Sequence, residues 1–421
     1  VCLFLATYQS QKYGRVRLID WSILAMGGVY GGVWALVMVY TLDRKNPSWE
    51  QWLTPNANLY VIHTLCALVA VLCAQFGWKL TGGVLLGRQV GFCVPRNIYD
   101  RRLVSSAWGL LVLAVVMQLL YTKALGGLLG VFEYSNLMRA GVFTVENPLS
   151  FLQPFAGLAI FSSFVFLGLA VGGLRKLGIL LGFIASFLFS VYVLMSWQGR
   201  IGFLTYFATI VFAFFLRSGV KPVALIFGGV AILTGMVFFA YELSSILQIK
   251  ASEDFAFFIA KELSFPFGGF FAHLAAGENM MRGFKDFLFS PFYVLPSSWW
   301  VGFIETVGDV NTAVIMGAKK GDLGVTGAVP VDLLTLGLMQ ASIVGVAVVG
   351  FLYGALLRAA DAFLATIQDE GVRAVLEAYL VIKIGVLAVF YAEPQLVVAG
   401  NFDLILCVVV LLFVRLFPSR A

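Results

Sequence analysis

Runs of about 20 apolar residues recur along almost the whole chain, and they confine it to one structural class. In a bilayer core every backbone N–H and C=O needs a partner within the protein, so a run of that length spans as a helix. A transmembrane barrel would show shorter segments of alternating hydrophobicity. The expected spans are Ile19–Leu42, Leu59–Leu80, Leu103–Thr122, Ala156–Leu174, Ile179–Gln198, Ile201–Leu216, Val223–Tyr241, Val329–Leu357, Ala374–Ala392 and Phe402–Phe417. Val1–Tyr8 reads as the end of a further, cut-off apolar segment. The expected fold class is therefore an all-α polytopic integral membrane protein with about eleven transmembrane helices, forming one transmembrane domain over residues 1–421.

Charge then speaks to topology. Only 12% of residues are charged, against about 25% in a soluble domain. The net charge of +6 points to membrane orientation and not to nucleic acid. One set of connections holds Lys12, Arg15 and Arg17; Arg88, Arg96, Arg101 and Arg102; Arg175 and Lys176; Arg217 and Lys221; Arg358 and Arg373; Arg415 and Arg420. Short basic connections stay in the cytoplasm, which places the alternate set outside: Asp43–Asn58, Lys123–Pro154, the turn at Gly199–Arg200, the segment from Glu242 to Ala328, and Glu393–Asn401. The expected location is the bacterial inner membrane, multi-pass, with the main loop facing the periplasm.

That main loop, residues 242–328, is the longest polar interruption, yet it is rich in Phe, Trp and Met. A connector of this length is a candidate functional platform, expected to rest on the outer membrane surface with short interfacial helices. Two other function classes are disfavoured. There is no GxxxxGK[ST] loop for a nucleotide-driven pump, and no inverted repeat of the kind many secondary transporters show. The five cysteines (Cys2, Cys66, Cys73, Cys93, Cys407) have no CxxC or zinc spacing, and the two histidines have no HxxxH or HxxE spacing. No disulfide framework, metal or cofactor is expected.

The candidate residues each carry two readings. Arg200, in Ser196-Trp-Gln-Gly-Arg200, sits where two apolar runs meet almost without a linker. It is either a bidentate contact for a lipid pyrophosphate or an interfacial arginine that snorkels. His273 is either a proton acceptor or an imidazole bonded to a backbone carbonyl. His63, near the end of a span, reads more as helix packing. Met280–Phe289 has the pattern of an amphipathic interfacial helix, on which Arg282 and Lys285 are one turn apart, either as anchors or as joint ligands of an anion. Lys319 and Lys320, between glycines, are either solvated or a lid over a phosphate. Asp332 is either a helix cap or a base. Lys383, mid-span, is either functional or paired with a carboxylate such as Glu377.

Three segments resemble the bacterial oligosaccharide repeat-unit polymerases, the O-antigen and capsule polymerase (Wzy) family. Ser196-Trp-Gln-Gly-Arg200-Ile is similar to that family's Ser-x-Ser-Arg turn, with Gly199 in place of the second serine. Phe292-Tyr-Val-Leu-Pro296-Ser-Ser-Trp-Trp300 is similar to its loop ending in Leu/Ile-Pro and an aromatic, and Gly327-Ala-Val-Pro330-Val-Asp332-Leu-Leu-Thr-Leu-Gly337 to its proline–acidic–glycine helix entry. The layout of helices with one dominant outer loop covers nearly the whole chain.

The resemblance implies a GT-C-type enzyme that joins polyprenyl-pyrophosphate-linked glycans without metal, nucleotide sugar or nucleic acid. Membrane lipids and a chain-length regulator protein would be its other partners. Arg200 carries over as a pyrophosphate contact, and His273 is a loose match to the loop histidine of the related O-antigen ligases. The alternatives are such a ligase, with lipid A core as acceptor, or a flippase or transporter of lipid-linked sugars without catalysis.

Overall fold

The computed structural model describes residues 16–33, 37, 57–86, 96–140, 147–174, 176–197, 200–218, 221, 224, 226–232, 234–235, 238, 255–277, 281–295, 299–300, 302–323, 325 and 327–416. Among them there are helices and turns but no strand. In chain order the helices are α1 (Leu18–Gly27), α2 (Ala57–Leu86), α3 (Arg96–Thr122), α4 (Gly127–Ala140), α5 (Leu158–Val171), α6 (Leu177–Trp197), α7 (Arg200–Arg217) and α8 (Phe255–Ala276). They continue with α9 (Lys285–Phe289), α10 (Val307–Met316), α11 (Leu333–Leu364), α12 (Glu370–Leu380), α13 (Ala388–Phe390), α14 (Pro394–Val398) and α15 (Phe402–Leu416). Six helical stretches among the described residues are long and apolar enough to cross a membrane: Asn58–Gly82, Tyr99–Leu125, Ser150–Val171, Leu177–Trp197, Leu333–Leu364 and Pro394–Leu412. The protein is thus a helical membrane protein.

The sequence explains how these helices divide their faces. On α2, Val61, Leu65, Leu68, Leu72, Phe76 and Leu80 recur at helical spacing and all stay exposed, the mark of a face against lipid. The opposite stripe, with Ala70 and Ala74, packs along α11. There Gly350 and Gly354 form a GxxxG pair, and a Cβ on either would collide with the Ala70 or Ala74 backbone. Lipid tails give no hydrophobic drive to helix association, so close backbone approach through small residues holds this pair.

Two ends of the bundle emerge. At one, the Trp78 ring lies between the Arg17 and Arg358 guanidinium groups, 4.4 and 4.7 Å from its centroid, and its indole N–H donates to Asp361 at 2.9 Å. Tyr99 and Asp369 belong to the same end, through Gln368 and Gly172. At the other end, Phe155 meets Phe402, the Asn147 amide donates to Tyr121 O, and the Ala392 N–H donates to Val331 O. The connections that carry Arg17, Arg358 and Asp369 thus share one end, and those at Asn147–Phe155 and Ala392–Phe402 share the other.

Helix regularity breaks in three places. α11 leaves helical geometry at Ala341 and Ser342, so Leu333–Gln340 is a short half-helix set against the remainder. The chain turns π-helical at Gly28–Gly32 and again at Val381–Leu387. In the second segment the Ile384 and Gly385 carbonyls accept hydrogen bonds from the hydroxyls of Tyr353 and Ser22, at 2.7 and 2.9 Å. Irregular backbone inside an apolar bundle persists only where such partners exist.

The main loop is more structured than the sequence suggests. α8 lies within it and packs against α11, α10 and α2. Its Phe267, Phe270 and Phe271 surround His63, which is fully buried, so His63 is a packing residue. The interfacial helix expected over Met280–Phe289 is reduced to the five residues of α9, with Arg282 and Asp286 buried. The described part of the loop therefore packs on the bundle helices, with Arg282 and Asp286 bonded to one another. The expected spans Ile19–Leu42 and Val223–Tyr241 lie only partly within the described residues, and Val1–Tyr8 and most of the Asp43–Asn58 connection lie outside them.

Candidate functional site

Two adjoining cavities open at the end where Gln153–Pro154, Trp197 and Ala399–Asp403 converge. The outer, about 210 Å³, is lined by these residues. The inner, about 300 Å³, reaches to Thr205, Tyr206, Tyr379 and Lys383. They share Trp197, Gly400 and Asp403. Lys383 projects from the π-helical segment, and Asp403 lies in the first turn of α15. Gly157 makes room for Asp403, since a Cβ there would lie 2.5 Å from Oδ2. Among the described residues the two charges close no direct ion pair, but each acts on the other across the cavity. The Trp197 indole N–H and the Thr205 hydroxyl are buried without a hydrogen-bond partner. Arg200 opens α7, whose first turn contributes Gly202 to the inner wall. The Arg200 side chain, with Gln198 and Gly199, lies outside the described residues.

A second, smaller cavity of about 80 Å³ lies under the main loop, lined by His273, Leu274, Gly277, Met281, Leu338, Met339 and Ser342. Asn311, on α10, donates through Nδ2 to the carbonyls of Val329 and Pro330 at 3.0 and 3.1 Å. That fixes its Oδ1 as an acceptor, 3.0 Å from His273 Nε2. His273 Nε2 therefore carries the hydrogen, and Nδ1, buried and without a partner, keeps its lone pair. Burial is the main reason the imidazole titrates low, at about 4; the Arg282 charge adds to this and the Asn311 bond opposes it. His273 is thus a neutral, oriented imidazole at neutral pH, held by a side chain and not by the backbone carbonyl that sequence reading offered as the alternative.

Beside it runs a buried polar chain. Arg282 donates to both Asp286 oxygens, each at 2.6 Å, and to the Glu305 carbonyl at 2.6 Å. Gln340 donates to Asp286 at 2.8 Å. The Arg282 and Gly283 amides cap the half-helix by donating to Met339 O and Gln340 O. Arg282 is buried and directs three of its N–H groups to Asp286 and a carbonyl, whereas Lys285 is exposed. Lys319 pairs with Glu305 at 2.6 Å in solvent, and Lys320 is exposed beside it.

Asp332 is a helix cap. Its Oδ2 accepts from the Leu334 and Thr335 amides at 3.0 and 3.5 Å and from the Tyr30 hydroxyl at 2.8 Å. All three bonds fall on Oδ2.

Sequence reading missed Asn311, Glu393, Asp403 and Thr205. Glu393 is buried and accepts from the Val331 amide at 3.2 Å. Burial pushes its carboxyl up to about 7, Asp309 adds to the shift, and the Val331 bond opposes it. Asp403 had a visible signal, an acid opening an apolar run; Thr205 and Asn311 had none.

No family model, curated protein or solved structure matches this chain.

Proposed function

We propose that the chain is a glycosyltransferase of the GT-C type that polymerises polyprenyl-pyrophosphate-linked oligosaccharide repeat units, at the outer face of the bacterial inner membrane. The observation that carries this reading is the double cavity. It opens within an apolar bundle, Lys383 and Gly202 of the first turn of α7 both line its inner part, and Arg200 begins that turn. A helix N-terminus favours anions, and an arginine and a lysine beside it suit a pyrophosphate. The acceptor hydroxyl attacks the anomeric carbon, the bond to the pyrophosphate oxygen breaks, and the lipid pyrophosphate departs. Pyrophosphate is already a good leaving group, so the protein supplies cations against developing charge and a base for the hydroxyl proton. His273, neutral with a bare Nδ1, and Asp403, in the cavity wall, are the proposed acceptors of that proton. Membrane lipids and a chain-length regulator are the proposed partners.

The test is elongation of a purified lipid-linked repeat unit, read as a ladder on a gel. Arg200→Lys keeps the charge but loses the planar fork, and is expected to lower elongation at least about tenfold, roughly 1.4 kcal/mol of transition-state stabilisation. Normal ladders from Arg200→Ala at equal protein level would remove Arg200 from the site.

A second reading draws on the break in α11 and the π-helical segment that carries Lys383. Interrupted helices build the binding sites of many transporters, so a flippase of lipid-linked sugars fits that observation. It would produce no ladder and would move the labelled lipid across a vesicle.

A further inference from the structure

Between Asp286 and Glu305 the main loop carries no charged residue. Pro291, Pro296 and Gly302 interrupt this stretch, so it does not cross a bilayer as one helix. Its described part includes a 3₁₀ turn at Ser290–Val294. Two of its rings turn inward: Tyr293 and Trp300 are buried and meet edge to face at 5.2 Å, and the Trp300 indole N–H donates to Leu295 O at 3.1 Å. That pair draws the two halves of the stretch into one surface. The side chains beside it stay outside. Leu288 is 73% exposed, Trp299 68% and Phe303 90%, with Phe292 and Leu295 exposed as well.

A surface in water seldom gathers so many large apolar groups without a cover, and its position in the fold says what the cover is. The Ser290–Val294 turn packs on α14, which opens the candidate membrane stretch Pro394–Leu412. Along that stretch Leu396, Ile405 and Val409 are exposed apolar residues, the mark of a face against lipid. The exposed loop residues therefore lie at the depth where a lipid-facing helix begins. Trp rings collect at the boundary between headgroups and acyl chains, and Leu and Phe side chains bury just below it. A protein partner would normally meet a polar rim, which this charge-free stretch does not offer. Lys285, exposed at the near edge, suits the phosphate of a headgroup.

We propose that the surface formed by Leu288, Phe292, Leu295, Trp299 and Phe303 is a lipid anchor, buried in the headgroup boundary of the bilayer leaflet at this end of the bundle. It lies beyond the helix that periodicity suggested at Met280–Phe289, and it is uncharged where that segment is charged. α14 runs on into Ala399 and Gly400, which line the outer cavity, so the anchor sits beside the cavity mouth. The inference needs only a bundle that spans a bilayer, and it stands or falls apart from the transferase reading.

The experiment uses the full chain in phosphatidylethanolamine–phosphatidylglycerol nanodiscs. An environment-sensitive fluorescent amino acid replaces Leu288, Phe303 or, as a reference in water, Lys320, one at a time by codon suppression, so the native cysteines stay. Each protein is titrated with iodide and, separately, with a lipid that carries a nitroxide near the headgroup end of its acyl chain. Thermal unfolding checks that each variant folds; all three side chains are exposed, so little packing is lost. At Leu288 and Phe303 the lipid-borne nitroxide is expected to quench more than iodide does, with the order reversed at Lys320. Iodide quenching at either loop position as strong as at Lys320 would place the surface in water and overturn the anchor. Protection from both quenchers at either position would mean that protein covers it, a second copy included, and would overturn the anchor as well.

Discussion

His273 Nε2 lies 3.0 Å from Asn311 Oδ1, and two backbone carbonyls hold the Asn311 amide so that it cannot turn its NH₂ toward the ring. One imidazole tautomer is thereby selected. ¹⁵N NMR of histidine-labelled protein is expected to show a neutral ring protonated at Nε2 throughout the neutral range. A cationic ring at pH 6, or the Nδ1–H tautomer, would sink this account. Because the folded group titrates at about 4 rather than 6.5, the unfolded chain binds the extra proton between those values. This contribution is therefore present above pH 6.5 and is lost as pH falls toward 4, by roughly 3 kcal/mol at most. Asn311→Leu strands the Nε2 proton, at a cost of about 1–3 kcal/mol.

Arg282 and Asp286 form a buried pair with side chains 5% and 1% exposed. Removing one partner leaves a charge without its counter-ion. Arg282→Met is expected to destabilise by about 3–5 kcal/mol, and Arg282→Met with Asp286→Leu by less. Thermal unfolding in detergent measures both. A double variant worse than the single would show that the pair matters through its other bonds, to Glu305 O and Gln340.

Glu393 moves the other way with pH. Its folded carboxyl titrates near 7 against an ordinary 4.5, so the folded state holds the proton in that window and the unfolded state does not. Stability falls as pH rises from 4.5 to 7, by on the order of 3 kcal/mol at most. Glu393→Gln keeps an oxygen for the Val331 amide and should abolish this fall, making the variant the more stable protein at pH 8. An unchanged pH slope would mean that Glu393 ionises freely.

Lys320 is exposed in a segment that sequence reading places outside the cytoplasm. Lys320→Cys should react with an impermeant maleimide in intact cells whose outer membrane is permeabilised, leaving the Lys319–Glu305 pair in place. Labelling only after the inner membrane is opened would invert the topology and the proposed function with it.

Much of the fold was legible in the apolar runs. The starts of α2, α6 and α7 and the alternation of basic connections follow from the sequence, because bilayer thickness and backbone satisfaction leave an apolar run few alternatives. The main loop was misjudged. Periodicity made Met280–Phe289 an interfacial helix, but Asp286 and the Glu305 carbonyl offered Arg282 better partners than water, and Gln340, 54 positions from Asp286, donates to that carboxylate. Charge and residue type could mark Arg200, His273, Asp332 and Lys383 as notable. Only the tertiary structure decided that Asp332 is a cap, that Asn311 orients His273, and that Lys383 faces Asp403. Hydropathy places a residue within or beside a run, whereas a site depends on which helices meet. That is settled by close contacts such as Gly354 on Ala74 and Gly157 on Asp403, which no local pattern encodes.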